Sequence, residues 1–251
     1  MSRRPWTGTS AALLLGAAAL AGCSHSGEHR AITPTSPATA TSLSATLTSP
    51  VDIALSWRAA DPRAAGEALE FATDPKGPYT LLQYLPAGRH TFKHANLIPQ
   101  TPFYYRLRSY YGTATAPVTV NLPPGGPSAA DKRDDNTWAA PRTIAHAGTA
   151  THPLAGAGSA PAGLKATVKQ ANGILFTWTD HSSDEDGFLV EDRPAGAAAY
   201  RVVAVLDPGI DSFGLTTLAD EKHASYRIRA FRYGTQSNTA HLTTGKAPAG
   251  S

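Results

Sequence analysis

Ile53-Ala54-Leu55-Ser56-Trp57 and Ile174-Leu175-Phe176-Thr177-Trp178 are the two stretches that decide the fold. In each, a bulky apolar residue recurs at every second position and the run ends on tryptophan. That is the period of a strand with one buried face. A shift of 121 residues carries Trp57 onto Trp178 and holds far beyond them. Leu43, Ala45 and Thr46 fall on Leu164, Ala166 and Thr167, Gly66 on Gly187, Glu70 on Glu191, and Tyr79 on Tyr200. Phe92 meets Phe213, Leu97 meets Leu218, and Tyr105-Arg106-Leu107-Arg108 meets Tyr226-Arg227-Ile228-Arg229. After one inserted residue, Tyr111-Gly112-Thr113 meets Tyr233-Gly234-Thr235. Register kept across so many bulky residues marks a duplicated domain.

Within each copy the short alternating runs are bounded by Pro, Gly and Asp, and no helical period appears. This predicts an all-β fold in which each copy is a sandwich of two sheets. The run ending on tryptophan, followed later by leucine and the Tyr-Arg-apolar-Arg run, resembles the fibronectin type III domain. In the second copy, Trp178 to Phe188 also resembles the loop that follows the tryptophan strand in bacterial members of that family. The resemblance implies seven strands per copy in two antiparallel sheets. It also implies a tyrosine six residues after the leucine, bonded back to the backbone at a sheet corner. Here Phe103 and Ala224 hold that place, so the corner bond is expected to be missing and the second domain to pack less well there.

The copies are expected at residues 42–121 and 161–245. Residues 122–160 open with Pro123-Pro124-Gly125-Gly126-Pro127 and close with Gly156-Ala157-Gly158-Ser159-Ala160, and they read as a flexible linker between the two domains. Trp138, inside that stretch, either docks on a neighbouring domain or stands exposed. Residues 23–41 and 246–251 read as a disordered tether and tail.

The N-terminus has the order of an export signal: Arg3 and Arg4, the apolar run Ala11–Leu20, then small residues. Leu20-Ala21-Gly22-Cys23 resembles the lipobox of bacterial lipoproteins. The resemblance implies a signal peptide at residues 1–22, cleavage before Cys23, and lipid attached to Cys23 as the membrane anchor. Cys23 is the only cysteine, so disulfide and cysteine–metal roles have no partner. With Ser24 rather than Asp after it, the family pattern implies the outer membrane in a Gram-negative cell, otherwise the outer face of the cytoplasmic membrane. Removal of Arg3 and Arg4 leaves 20 basic against 19 acidic residues, which gives no basis for a nucleic-acid partner.

Chemistry-bearing patterns are few. His90 and His94 have a metal-ligand spacing, but on a strand they lie roughly 13 Å apart, and they read as solvated histidines. Asp180, Ser182, Asp184, Asp186 and Glu191 imitate a calcium loop, but Glu185 stands where the EF-hand turn needs glycine. Turn formation is the reading preferred for that loop. No nucleophile elbow or phosphate loop is present, so no enzyme activity and no cofactor are expected. The ligand-binding candidates are Tyr104, Arg106, Arg108 and Tyr110, an outward ladder if Phe103, Tyr105 and Leu107 face the core. Glu70 and Glu191, on a neighbouring strand, are the structural alternative, pairing with the arginines as exposed and weak ion pairs. The expected function is a monomeric, lipid-anchored envelope protein that binds a protein or polysaccharide. A passive spacer and an accessory subunit of a polysaccharide-active enzyme are the alternatives.

Overall fold

The computed structural model describes residues 41–58, 61–144, 152–154 and 158–246. The expected signal peptide, Cys23, the tether up to residue 40 and the tail from residue 247 lie outside the described residues.

The first repeat forms β1 (Ser42–Ser49), β2 (Asp52–Arg58), β3 (Gly66–Ala72), β4 (Thr80–Pro86), β5 (Thr91–His94), β6 (Pro102–Tyr111) and β7 (Val118–Asn121). The second forms β8 (Ala162–Gln170), β9 (Gly173–Thr179), β10 (Gly187–Pro194), β11 (Arg201–Leu206), β12 (Ser212–Thr216), β13 (His223–Gln236) and β14 (Ala240–Thr243). Each sandwich has a three-stranded sheet, β1-β2-β5 or β8-β9-β12. The opposing sheet contains β4-β3-β6 or β11-β10-β13. This is the fibronectin type III arrangement, so the chain is two such sandwiches. The alternation reads directly into burial: Ile53, Leu55 and Trp57 face one core, and Ile174, Phe176 and Trp178 the other. Each such side chain contributes roughly 1.5–3 kcal/mol by leaving water.

The seventh strands are exchanged. β7 pairs with β13, from Val118 opposite Tyr226 to Asn121 opposite His223. β14 pairs with β6, from Ala240 opposite Tyr105 to Thr243 opposite Pro102. Val120 and Leu122 accordingly pack in the second core, and Ala240 and Leu242 pack with the first. The expected boundaries 42–121 and 161–245 are corrected by this pairing. The first sandwich is β1–β6 closed by β14, and the second is β7–β13. The physical reason lies in β6 and β13, which run on past their own sandwiches and pair with each other, Tyr111 opposite Arg232 and Tyr110 opposite Tyr233. Continuing straight, each chain segment reaches the other sandwich's open edge instead of turning back.

Residues 122–160 therefore do not join the sandwiches, and their described parts lie on the second one. The Lys222 ammonium donates to the carbonyls of Pro123 and Ala171, each at 3.1 Å. Trp138 docks over two glycines, standing where a Cβ on Gly173 would meet it at 2.7 Å and one on Gly214 at 2.6 Å. Arg142 adds to the edge of β12, exchanging backbone hydrogen bonds of 3.0 and 3.1 Å with Ser212. Leu154 is buried in the core.

The corner bond expected to be missing is present in the second sandwich, supplied from elsewhere. The Tyr226 hydroxyl donates to the Glu221 carbonyl, five residues upstream, at 2.5 Å. Tyr226 lies on the inward row with Ile228 and is fully buried, so its ring reaches the corner that Ala224 cannot fill. In the first sandwich the equivalent Tyr105 turns its hydroxyl to His94 Nδ1, at 3.0 Å.

Candidate binding surface on the joined sheets

β3 and β6 pair so that Ala72, Glu70, Ala68 and Gly66 stand opposite Tyr104, Arg106, Arg108 and Tyr110. These four candidates do share the sheet face opposite the core, but they do not form a single exposed ladder. Tyr104 lies at the open end, stacked on His241 of β14 with centroids 4.4 Å apart and planes at 15°. Arg106 donates from Nε to Glu70 at 2.5 Å, and its guanidinium lies 3.9 Å above the Tyr79 ring. Arg108 is 3.9 Å from Glu70 and lies 4.0 Å from the centroid of Tyr233. Tyr110 is the correction: it is only 2% exposed. The face carrying it packs on the second sandwich, where Tyr110 meets Tyr84 at 5.5 Å and Phe231 at 6.4 Å. Ala68 and Leu189 complete this third, smaller core, and burial pushes the Tyr110 phenol up.

The second repeat reproduces the charged part of the pattern. Glu191 accepts from Nε of Arg227 and from Nε of Arg229, the latter at 2.9 Å, while Arg227 lies 3.8 Å above Tyr200. The glutamate–arginine pairing foreseen as the structural alternative is therefore real, but the glutamates are not exposed. Glu70 is 8% and Glu191 is 3% exposed, because neighbouring strands and the packed arginines cover them. Removing one member of such a pair strands a buried charge, which costs far more than the loss of a surface pair.

The two histidines separate. His90 is exposed, whereas His94 is half-buried among Phe71 at 5.4 Å, Tyr105 at 5.9 Å and Phe103 at 6.1 Å. The expectation of two solvated histidines thus fails for His94. Burial lowers its pKa and favours the neutral ring that bonds Tyr105. Among the described residues no group of three or more His, Cys, Asp or Glu could hold a metal ion.

The acidic loop uses its carboxylates on the protein itself. Asp180 accepts from the Ser182 N–H at 3.0 Å and Glu185 from the Gly209 N–H at 3.1 Å. Asp184 accepts from the Leu154 N–H at 2.5 Å and from Arg232 at 2.6 Å, and Asp186 accepts from the Tyr233 N–H at 2.8 Å.

Sequence reasoning missed Glu67. It is 4% exposed, bonded through one oxygen to the Ser109 hydroxyl at 3.1 Å, and its other oxygen has no partner. Burial raises its pKa. The signal was legible: the 121-residue shift places Glu67 on Phe188, a core residue 5.6 Å from Trp178. A carboxylate where the repeat has phenylalanine is a substitution against stability.

No protein-family model and no curated protein matches the chain. Among solved structures it is similar to a pectate lyase from Erwinia chrysanthemi in complex with tetragalacturonic acid. That match has 20% identity over 28% of this chain and 23% of the lyase, with a TM-score of 0.26, so it spans under a quarter of the lyase. It is similar to a Fn3-like protein from Clostridium thermocellum, with 26% identity over 29% of this chain and 77% of that one, TM-score 0.26. A two-domain fibronectin type III segment of chicken tenascin matches at 15% identity over 83% of this chain and 100% of that one, TM-score 0.25. The strand order above defines the class: a double fibronectin type III-like sandwich.

Proposed function

We propose that the chain is a lipid-anchored cell-envelope protein that binds a protein or polysaccharide on the open end of the first sandwich, and does no chemistry of its own. The observation that carries this reading is the organised row Tyr104 on His241 and Arg106 on Tyr79. Rings and a guanidinium held in fixed geometry lose little conformational freedom on binding, and these residue types dominate binding hot spots. The anchor rests on Leu20-Ala21-Gly22-Cys23. In-cell crosslinking and purification of the tagged chain tests the surface: a specific envelope protein or glycan is recovered from the parent and lost from the Tyr104→Ala/Arg106→Ala variant. Equal recovery from both removes the row from the account. Cys23→Ser tests the anchor by moving the protein from the membrane to the soluble fraction.

The strand exchange favours a second reading, a spacer. The second sandwich interrupts the first between β6 and β14, and β6–β13 pairing with the third core fixes their mutual geometry. If crosslinking recovers nothing above background from a folded protein, the spacer reading replaces the binding one.

A further inference from the structure

The two sides of the junction are not equivalent. Between the paired arginines and the next glycine the second repeat has one residue more, Arg229-Ala230-Phe231-Arg232-Tyr233-Gly234 against Arg108-Ser109-Tyr110-Tyr111-Gly112. Side chains alternate between faces, so one inserted residue puts the tyrosine before the glycine on opposite faces in the two repeats. Tyr233 continues the row of Arg229 and Phe231, and its ring lies over Arg108. Tyr111 turns away, donating its hydroxyl to Asp61 at 3.2 Å. At the 121-residue shift the position of Tyr233 falls to Gly112, whose carbonyl accepts from Arg229 at 2.6 Å.

No ring covers Arg229 among the described residues. Beside it is a cavity of about 330 Å³ lined by Tyr84, Tyr110, Tyr200, Arg201, Arg227 and Arg229. Glu191 is the one acidic lining residue. Arg201 is held by Asp192 at 2.9 Å, Asp220 at 2.8 Å and Glu221 at 3.4 Å, so its charge is spent outside the cavity. Arg227 gives Nε to Glu191, and its two terminal nitrogens have no hydrogen-bond partner among the described residues. Arg227 and Arg229 share the single Glu191, which leaves one positive charge in excess at that pair. A guanidinium edge matches a carboxylate, and a guanidinium face beside tyrosine rings matches a flat ring.

We propose that this cavity binds a small aromatic carboxylate. Its ring lies beside Arg229 among Tyr84, Tyr110 and Tyr200, and its carboxylate meets the terminal N–H groups of Arg227. The site is separate from the Tyr104–Arg106 row and does not rest on the function proposed above.

Calorimetric titration of the full-length chain with 4-hydroxyphenylacetate tests it, with phenol and glucuronate as comparison ligands. The expected result is saturable binding of one equivalent of 4-hydroxyphenylacetate. Phenol, a ring without the charge, and glucuronate, the charge without a flat ring, bind about tenfold weaker or worse. Arg227→Gln weakens binding about tenfold. Ala199→Trp, at an exposed position on the cavity wall, fills the site and abolishes binding while circular dichroism stays unchanged. Absence of binding at millimolar 4-hydroxyphenylacetate overturns the proposal. So does equal binding of glucuronate, or binding undiminished by Ala199→Trp.

Discussion

Tyr111 lies opposite Arg232, the residue that holds its own place in the second repeat at the 121-residue shift. A residue facing its own counterpart marks an approximate two-fold axis between the repeats. The bonds on either side obey it. Thr115 donates its N–H to the Ile228 carbonyl at 2.8 Å, and its hydroxyl accepts from the Ile228 N–H at 3.2 Å. Ser237 does the same with Leu107, the counterpart of Ile228, at 2.8 and 2.9 Å. The two crossings are thus the same structure made twice, and the first six strands of each repeat are closed by the other repeat's seventh.

From this follows unfolding as one unit. The second sandwich is inserted between β6 and β14 of the first, and the two share β6–β13 pairing and the third core, so calorimetry of the chain is expected to show one transition with equal calorimetric and van't Hoff enthalpies. Two resolved transitions would count against coupling. Gly112→Ala attacks the crossing itself, since φ there is 134° and the added Cβ meets Ala230. It is expected to destabilise the whole chain by about 1–3 kcal/mol, read as a shift of the single transition.

The corner bond gives a smaller effect. Tyr226→Phe removes the hydroxyl that satisfies the Glu221 carbonyl while leaving the ring packed against Phe176 at 5.0 Å. A loss of about 1 kcal/mol in chemical denaturation is expected. An unchanged midpoint would mean that water satisfies that carbonyl equally well.

Glu67 sets a pH dependence. Its folded pKa is raised above the ordinary carboxylate value of 4.5, chiefly by burial. The protonated form therefore favours the folded state, and its contribution is complete below that ordinary value. It is lost as pH rises through the raised folded value. Glu67→Gln keeps a group able to bond Ser109 and removes the charge. The variant is expected to melt higher than the parent at pH 7, with the difference shrinking as pH falls toward 4.5. A difference independent of pH would show that the charge is not the cause.

Much of this fold was legible in the sequence because its signals are local. The period-two runs Ile53–Trp57, Ile174–Trp178, Phe188–Val190 and Tyr226–Ile228 showed which side of those strands is buried. The glutamate–arginine pairs were visible as facing positions on neighbouring strands. What the runs do not contain is which edge a four-residue strand joins. Val118–Asn121 has the same alternation whether it pairs with Tyr104 or Ser225, since the repeats offer near-identical edges. The exchange is decided by pairing of β6 with β13, a contact between segments far apart in the chain. The same contact buried Tyr110, which alternation alone placed outside. Trp138 was equally ambiguous, because the glycines that receive it, Gly173 and Gly214, carry no pattern of their own.

The exchange is tested most directly by disulfides placed across β7. Thr119 and Ser225 are paired, with hydroxyl oxygens 3.2 Å apart, whereas an unexchanged first sandwich would pair Thr119 with Tyr104. In a Cys23→Ser background, each double-cysteine variant carries only its two introduced thiols. Oxidation of the monomeric protein is predicted to close the Thr119→Cys/Ser225→Cys disulfide readily and to leave Thr119→Cys/Tyr104→Cys reduced. A disulfide formed in the second variant and not in the first would contradict the exchanged fold.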